Sequence, residues 1–385
     1  MSTGVVVTHA YRTAVGRSGR GTLRHTRPDE LLALLIQGFL EKVPGFDPAV
    51  IDDVVIGCAF PEAEQGMNVA RLAILRAGLP ITVPAMTINR FCSSGLQTLA
   101  TGAGEIVAGW SDVVLTGGVE SMSLVPMGGS KPAPNPWLAD NFPSAYESMG
   151  ITSETVSSRY GVSRVDQDAF GVASNAKALA AIKEGRFKDE IIPIKTKVDG
   201  KEIVFDTDDG PRESTVEGLG KLRPAFKVDG VSTAGNSSQT SDGAAIELLM
   251  TRAKAEEYGF TPLGELVTFQ VAGVHPDEMG IGPAAAIPKA LEKAGMKVED
   301  IGLFELNEAF ASQALYCVRT LGLNPDIVNV NGGAIALGHP LGCTGAKLTT
   351  QLIYEMKRRQ VQFGMVTMCI GGGMGAAAIF ENLQN

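Results

Sequence analysis

Positive charge is scarce in this chain. Lys and Arg total 33 against 42 Asp and Glu, a net charge of −9 over 385 residues, and no Lys/Arg tract occurs. An acidic chain without a basic patch is a poor partner for nucleic acid, and none is expected. Long apolar runs are also missing; none reaches the ~18 residues of a membrane span, so no span is expected. Met1-Ser2-Thr3-Gly4 leads straight into Val5-Val6-Val7, with neither the basic n-region of a signal peptide nor an Arg-rich transit segment. Residues 381–385 carry no peroxisomal or lipidation signal. A cytoplasmic location is the expectation. Cys58, Cys92, Cys317, Cys343 and Cys369 form no C-x-x-C pair, which argues against a tetrahedral zinc site. In a leaderless chain they should be reduced thiols. What the chain does have is 44% hydrophobic residues, enough for a large core, and 46 glycines. Glycine is thus about 12% of the chain against a usual ~7%.

The first 120 residues alternate strand and helix. Strands are expected at 4–9, 54–58, 85–89 and 113–115, and helices at 29–42, 68–77 and 96–107, the last from the three- and four-residue spacing of Leu96, Leu99, Ala103 and Ile106. Continuous apolar strands alternating with helices predict a mostly parallel sheet covered on both faces. The rhythm breaks between 121 and 240. There Ser163-Arg164-Val165-Asp166 is a capping-box pattern opening a helix to about Lys183, and 191–205 reads as a two-stranded excursion through Asp199-Gly200. Alternation resumes with a helix expected at 244–257, a strand at 265–272, a helix at 284–294, a strand at 302–306, a helix at 310–321, a strand at 327–330, a helix at 347–358 and two last strands at 363–369 and 375–380.

The two regular parts echo each other. Glu41-Lys42 before Ile51–Ile56 is matched by Glu292-Lys293 before Ile301–Leu306, and Val114–Gly118 by Val366–Gly372, all offset by roughly 250 residues and in the same order. The expectation is a duplicated α/β fold. Residues 1–120 form an N-terminal half completed by about 241–260, residues 121–240 an inserted loop domain, and residues 261–385 the C-terminal half. Its site should lie where the strands end at their carboxyl side.

Four such places carry chemistry. Asn89-Arg90-Phe91-Cys92-Ser93-Ser94-Gly95 puts Cys92 at a helix start, where unpaired N–H groups and the dipole favour a thiolate nucleophile. A buried structural cysteine is the bland alternative. His339 is the one histidine of four set in a Gly-rich strand-to-helix turn, Asn331–Ala346, where glycine admits close approach of a ligand. Cys369-Ile370-Gly371-Gly372-Gly373-Met374-Gly375 places a thiol before a turn whose N–H groups could bind an oxyanion. It imitates a dinucleotide fingerprint, but the βαβ unit that motif should open is absent. Asn307-Glu308-Ala309-Phe310 reads either as a helix N-cap or as a strand-end Asn and Glu that orient a water. Two thiols, a histidine and an asparagine at one end of a doubled sheet suit acyl transfer through a thioester.

These motifs, with Gly235-Asn236-Ser237-Ser238, resemble those of the thiolases in family order across the whole chain, and within them the degradative 3-ketoacyl-CoA branch (acetyl-CoA acyltransferases). The resemblance implies a layered αβαβα core of two duplicated halves with a loop domain inserted in the first. It implies Cys92 as the acylated nucleophile, His339 as its activator and a thioester-oxygen donor, and Cys369 as the acid/base at carbon. Asn307 would hold a water in a first oxyanion hole, and the N–H groups of Cys92 and Gly371 would form a second. Ser238 would meet the pantetheine arm, and Met149 and Phe310 would wall the acyl pocket. The implied reaction is cleavage of 3-ketoacyl-CoA by CoA, with no metal or redox cofactor. CoA thioesters are the implied partners, and a homodimer or homotetramer the implied assembly, with a β-oxidation complex left open. An acetoacetyl-CoA thiolase working toward condensation is the alternative. A ketoacyl synthase relative should carry two His and one Cys, and an inactive acyl-CoA carrier should lack part of the constellation.

Overall fold

The protein was analysed as a computed structural model that describes residues 3–384. Its strands are β1 (Val5–Arg12), β2 (Gly16–Arg17), β3 (Asp53–Gly57), β4 (Met86–Ile88), β5 (Val113–Ser121), β6 (Ile194–Val198), β7 (Lys201–Phe205), β8 (Ser241–Thr251), β9 (Gly264–Gly273), β10 (Leu303–Leu306), β11 (Phe363–Ile370) and β12 (Met374–Asn382). One sheet runs β10-β11-β12-β9-β1-β8-β5-β3-β4. Read outward from its middle, where β1 meets β9 antiparallel, both directions repeat one pattern: two antiparallel neighbours, then parallel ones. The duplication seen in the sequence is thus a duplication of strand order.

Period-2 side-chain alternation builds the layers. Val54, Ile56, Leu115 and Ile246 face outward onto helices Pro28–Lys42 and Val69–Ala77. Val55, Val114, Leu249, Val366 and Met368 face inward onto helices Ser94–Val107 and Leu341–Arg359. Phe304, Met365 and Ile379 face outward again, onto Gly282–Ala294 and Ala311–Leu321. The order is αβαβα, with Leu341–Arg359 so enclosed that only Tyr354 and its last turn reach solvent.

The two central helices touch through glycine. A Cβ on Gly95 would stand 2.7 Å from the Ala346 nitrogen, and one on Gly345 2.1 Å from the Leu96 nitrogen. Both obstacles are backbone and cannot swing aside. Gly345→Ala should therefore destabilise the fold by roughly 1–3 kcal/mol, the usual cost of overpacking, read as a lower urea midpoint. It should also spread the helix N-termini beside which Cys92 and His339 sit.

Only β10–β11, β3–β5 and β3–β4 pair parallel, so the sheet is not the mostly parallel one expected, and three expected elements also differ. Residues 244–251 are not helix but most of β8, and the helix is only Arg252–Glu257. Ala244–Met250 is buried throughout and apolar except at Glu247, because helices cover both sheet faces, and such a run carries no period to separate strand from helix. The expected strand at 327–330 is a 3-10 turn, Pro325–Ile327, followed by one bridge between Phe304 and Val328. Asn329 sits in the left-handed region at φ 46° and ends the pairing. The helix Met149–Arg159 was not expected at all; it buries Gly150, Thr152, Ser153, Glu154 and Ser157 with Val156 alone as a large apolar residue, so it shows no apolar stripe. The helix expected at 347–358 begins earlier, at Leu341.

The stretch 122–240 leaves the sheet. It contains the β6–β7 hairpin and the helix Arg164–Lys183, capped by the Ser163 hydroxyl. It is pinned to β1 by buried Arg12, which gives Nε to Glu190 (2.7 Å) and Nη1 and Nη2 to Asp208 (2.8 and 3.0 Å). Among the described residues no helix is long and apolar enough to cross a membrane.

Candidate active site

Four loops converge where β4, β10 and β11 end and where Leu341–Arg359 begins. In the first, a tight turn presents Cys92. The Asn89 carboxamide accepts from Phe91 N (2.7 Å) and donates to Ala59 O (3.0 Å), while Ser94 Oγ accepts from Arg90 N (2.9 Å). Phe91 is held at φ 43°, a conformation costly for a side chain of its size. Strain of this kind persists where the surrounding bonds over-determine the turn, as they do here.

His339 is buried and its tautomer follows from its neighbours. Thr344 Oγ1 donates its only proton to Pro340 O (2.8 Å), so it must accept from His339 Nδ1, 2.6 Å away. The free lone pair is then on Nε2, where Asn307 Nδ2 lies at 3.3 Å. Asn307 Oδ1 is buried without a protein partner. Asn307 is therefore no N-cap: the cap position of the following helix, Ala311–Leu321, is Phe310. Burial, reinforced by the buried Lys347 cation, pushes the His339 imidazole down to about 3, so it is neutral and can accept a proton.

Burial also pushes the Cys92 thiol up to about 12, against the pull of the N–H groups of Gly371 and of Cys92 itself. The thiolate expected from the helix start is thus not the resting form, because desolvation outweighs the donors. Cys369, at the end of β11, is raised well above the ordinary thiol by burial and by the adjacent Cys92 and Cys317. At rest the site therefore holds two neutral thiols and a neutral imidazole.

The remaining expected residues line two adjoining cavities. One, of about 380 Å³, holds Cys92, Gly371, Phe91, Met149 and Met279. The other, of about 120 Å³, holds His339, Ser238, Phe310 and again Met149. Met127, Met149 and Leu341 belong to both. Cys369 packs on Met279, Ala309, Phe310 and Met149. Ser238 is fixed by its N–H to Ala309 O (2.9 Å), and the same strand-like segment fixes His339 N through Gln239 O (3.1 Å) and Ser241 Oγ (3.1 Å).

Glu308 does not orient a water beside Asn307. Its carboxylate turns behind the site and accepts from Ser174 Oγ (2.6 Å), Asn329 Nδ2 (2.9 Å) and Ile335 N (3.3 Å). Three further residues escaped the sequence reading. Glu120 gathers the N–H groups of Ala59 (2.8 Å), Phe60 (3.3 Å) and Gly342 (2.7 Å) with Gln65 Nε2 (2.7 Å), tying the Cys92 side to the His339 side. Asn329 clamps Leu306 N and O at 2.8 Å each, one residue before Asn307. Thr344 sets the His339 tautomer. The only signal for Thr344 was its place five residues after His339 at the head of a helix.

Thr344 permits a direct check. In Thr344→Val the His339 Nδ1–H is buried without an acceptor, a cost of about 1–3 kcal/mol that releases the ring from its working orientation. The expected result is a kcat lowered by roughly 10- to 100-fold with little change in KM, and recovery in Thr344→Ser.

Among the described residues no group of three or more His, Cys, Asp or Glu is arranged to hold a metal ion. A buried thiol on a strained turn, a second buried thiol packed close by and a neutral histidine sit together on the duplicated five-layer core of an acyltransferase. The chain belongs to the thiolase family: residues 5–253 match the thiolase N-terminal domain and residues 260–382 the thiolase C-terminal domain. It is 56% identical to 3-ketoacyl-CoA thiolase of Bacillus subtilis (strain 168), over 98% of each chain. It is 51% identical to peroxisomal 3-ketoacyl-CoA thiolase A of Rattus norvegicus, over 98% of this chain and 88% of the relative. The dimeric peroxisomal thiolase of Saccharomyces cerevisiae superposes with a TM-score of 0.92 at 42% identity, covering 98% of this chain and 97% of the other. Acetyl-CoA acetyltransferase of Bacillus anthracis superposes at 0.91 with 42% identity, covering 98% of each.

Proposed function

We propose that the protein cleaves 3-ketoacyl-CoA with CoA, giving acetyl-CoA and an acyl-CoA two carbons shorter. The observation that carries this is the pair of thiols: Cys92 and Cys369 are both buried and both pack against Met149, which lines the cavity that holds Cys92 and Gly371. Hydrolytic or simple thioester-exchange chemistry needs one thiol; breaking a carbon–carbon bond needs a second group that can protonate carbon.

His339 Nε2 takes the Cys92 proton as sulfur adds to the C3 carbonyl. The oxyanion is met by the imidazolium N–H and a water on Asn307, or by the N–H groups of Cys92 and Gly371. The C2–C3 bond breaks, and the electron pair left on C2 receives the Cys369 proton, releasing acetyl-CoA. CoA then gives its thiol proton to the Cys369 thiolate and attacks the acyl carbonyl, while departing Cys92 recovers its proton from His339. Every proton moves between these residues and the CoA thiol, and we propose that no metal or redox cofactor takes part.

The cavity beside Cys92 extends well past an acetyl group, toward Tyr146 and Ser144. This favours longer acyl chains over the acetoacetyl alternative. The test is thiolysis of 3-ketoacyl-CoA from C4 to C16. We expect kcat/KM to rise beyond C4, with parallel double-reciprocal lines from the acyl-enzyme route. Use of C4 alone would return the reading to acetoacetyl-CoA.

A homodimer is the assembly we propose. β4 is an edge strand whose residues are only half-buried, and the adjoining Met67 and Ile81 are fully open to solvent, an arrangement that a second copy would cover. The five cysteines are all free, which suits a reducing compartment such as the cytoplasm.

A further inference from the structure

Large apolar side chains standing singly on a surface need no occupant, but three of those left open in this chain border one cavity. Phe91 (36% exposed), Met127 (49%) and Tyr146 (48%) all line the cavity of about 380 Å³ that holds Cys92. Half-buried Phe60 lines it too and sets its ring against Phe91, with centroids 6.1 Å apart and planes inclined at 49°. Three parts of the chain supply the walls: Phe60 and Phe91 the N-terminal half, Met127 and Tyr146 the inserted stretch, and Met279 the C-terminal half. Among the described residues that line it, none is Lys, Arg or His, and only Glu147 is charged. Such walls do not suit a phosphate; they suit a hydrocarbon chain attached at Cys92.

Phe91 is the member of this group whose presence needs a reason. At φ 43° a bulky side chain is strained, whereas glycine takes the same conformation freely. The turn itself gives no reason for a ring, because its bonds reach only the backbone of residue 91. Asn89 Oδ1 accepts from Phe91 N (2.7 Å), and Ser94 Oγ donates to Phe91 O (2.7 Å). Nor is the ring drawn into the core, since the residue stays exposed. It lies over Gly371 instead. A Cβ placed on Gly371 would meet Phe91 Cδ2 and Cγ at 3.8 Å and Met149 Sδ at 4.0 Å. The Phe91 ring and the Met149 thioether thus converge above the turn that follows β11 and borders the same space as Cys92.

We propose that Phe91 sets the acyl-chain preference: its ring is the wall along which the carbons of a medium or long acyl tail lie once they pass Met149. A strained bulky residue beside a reacting centre is kept for what its side chain meets, and here that is the tail of the substrate. The open faces of Phe91, Met127 and Tyr146 are then covered when a long acyl group occupies Cys92, and a short acyl group leaves them bare. This rests on the 3-ketoacyl-CoA reading above and adds the residue that selects among chain lengths.

The experiment compares thiolysis of C4 and C12 3-ketoacyl-CoA by wild type, Phe91→Gly and Phe91→Leu, with dissociation constants of butyryl-CoA and dodecanoyl-CoA from calorimetry. Glycine suits the positive φ, so Phe91→Gly keeps the turn while removing the ring. Any disturbance in how the turn presents Cys92 acts alike on both lengths, so the C12-to-C4 ratio of kcat/KM isolates the wall. In Phe91→Gly that ratio should fall roughly tenfold or more, the scale expected when several methylenes lose an apolar contact. The loss should appear in KM more than in kcat, because the tail is bound equally before and during the reaction. Phe91→Leu, which keeps an apolar wall, should recover part of it. A C12-to-C4 ratio unchanged in Phe91→Gly overturns the proposal, whatever happens to the overall rate. A wild type that cleaves neither substrate, yet prefers dodecanoyl-CoA to butyryl-CoA in a way that Phe91→Gly abolishes, would remove the function proposed above and leave this wall standing.

Discussion

Cys92→Ser is expected to form no acyl-enzyme and to lose thiolysis by on the order of 10⁴- to 10⁶-fold, the scale seen when a covalent nucleophile is removed. The argument starts from the resting protonation state. Burial holds the Cys92 thiol near 12 and the His339 imidazole near 3, so proton transfer in the empty site is strongly uphill. It becomes feasible only as sulfur bonds to the carbonyl carbon and charge moves to an oxygen that the donors can reach. A hydroxyl in the same place has a far higher pKa and a less polarisable atom, and the same donors cannot close that gap. Wild type incubated with 3-ketoacyl-CoA should show an acyl adduct on the Cys92 peptide by mass spectrometry. Adducts confined to Cys58, Cys317 or Cys343 would overturn the assignment. Each of those thiols is buried and raised, Cys58 and Cys343 further by Glu120, and none lines either cavity at the site.

Physical reasons separate what could be read from the sequence from what could not. Glycine-flanked turns at strand ends announce themselves locally, so Cys92, His339, Cys369 and Gly371 could be picked out, and the repeated order of elements at constant offset displayed the doubled sheet. Asn307 stayed ambiguous because an asparagine before a helix is ordinarily a cap; only a neighbour 32 residues away in sequence, His339, shows where its amide points. Glu120 had no local signature, since its five donors come from 55 to 222 residues away. The thiolate expected at Cys92 was a correct account of the helix end and an incomplete account of the site, because burial is a property of the whole fold. The misread helix at 244–251 has the same origin. Its apolar residues are uniformly buried by layers that the segment itself does not encode.

Cys369→Ala should fail differently from the nucleophile variant. In cleavage the leaving group is carbon, and the electron pair on C2 needs a proton that His339, committed to the Cys92 side, does not deliver. Removing the carbon acid should cost about 10²- to 10⁴-fold in turnover, the usual range for a positioned general acid. Exchange of labelled CoA into acetyl-CoA makes no demand on carbon. There Cys92 displaces CoA from the thioester, and the departing CoA thiolate takes back the proton that His339 removed from Cys92. Every group for that exchange survives in Cys369→Ala, including the His339 tautomer set by Thr344 and the N–H groups of Cys92 and Gly371. Packing is the one confounding factor, because Cys369 is fully buried against Phe310 and Met279. Cys369→Ser keeps nearly the same volume and offers a much poorer acid, so it should show the same split between the two rates. Cys92→Ala should remove cleavage and exchange together. Full cleavage activity in Cys369→Ala, or exchange surviving in Cys92→Ala, would show that the two thiols do not divide the reaction in this way.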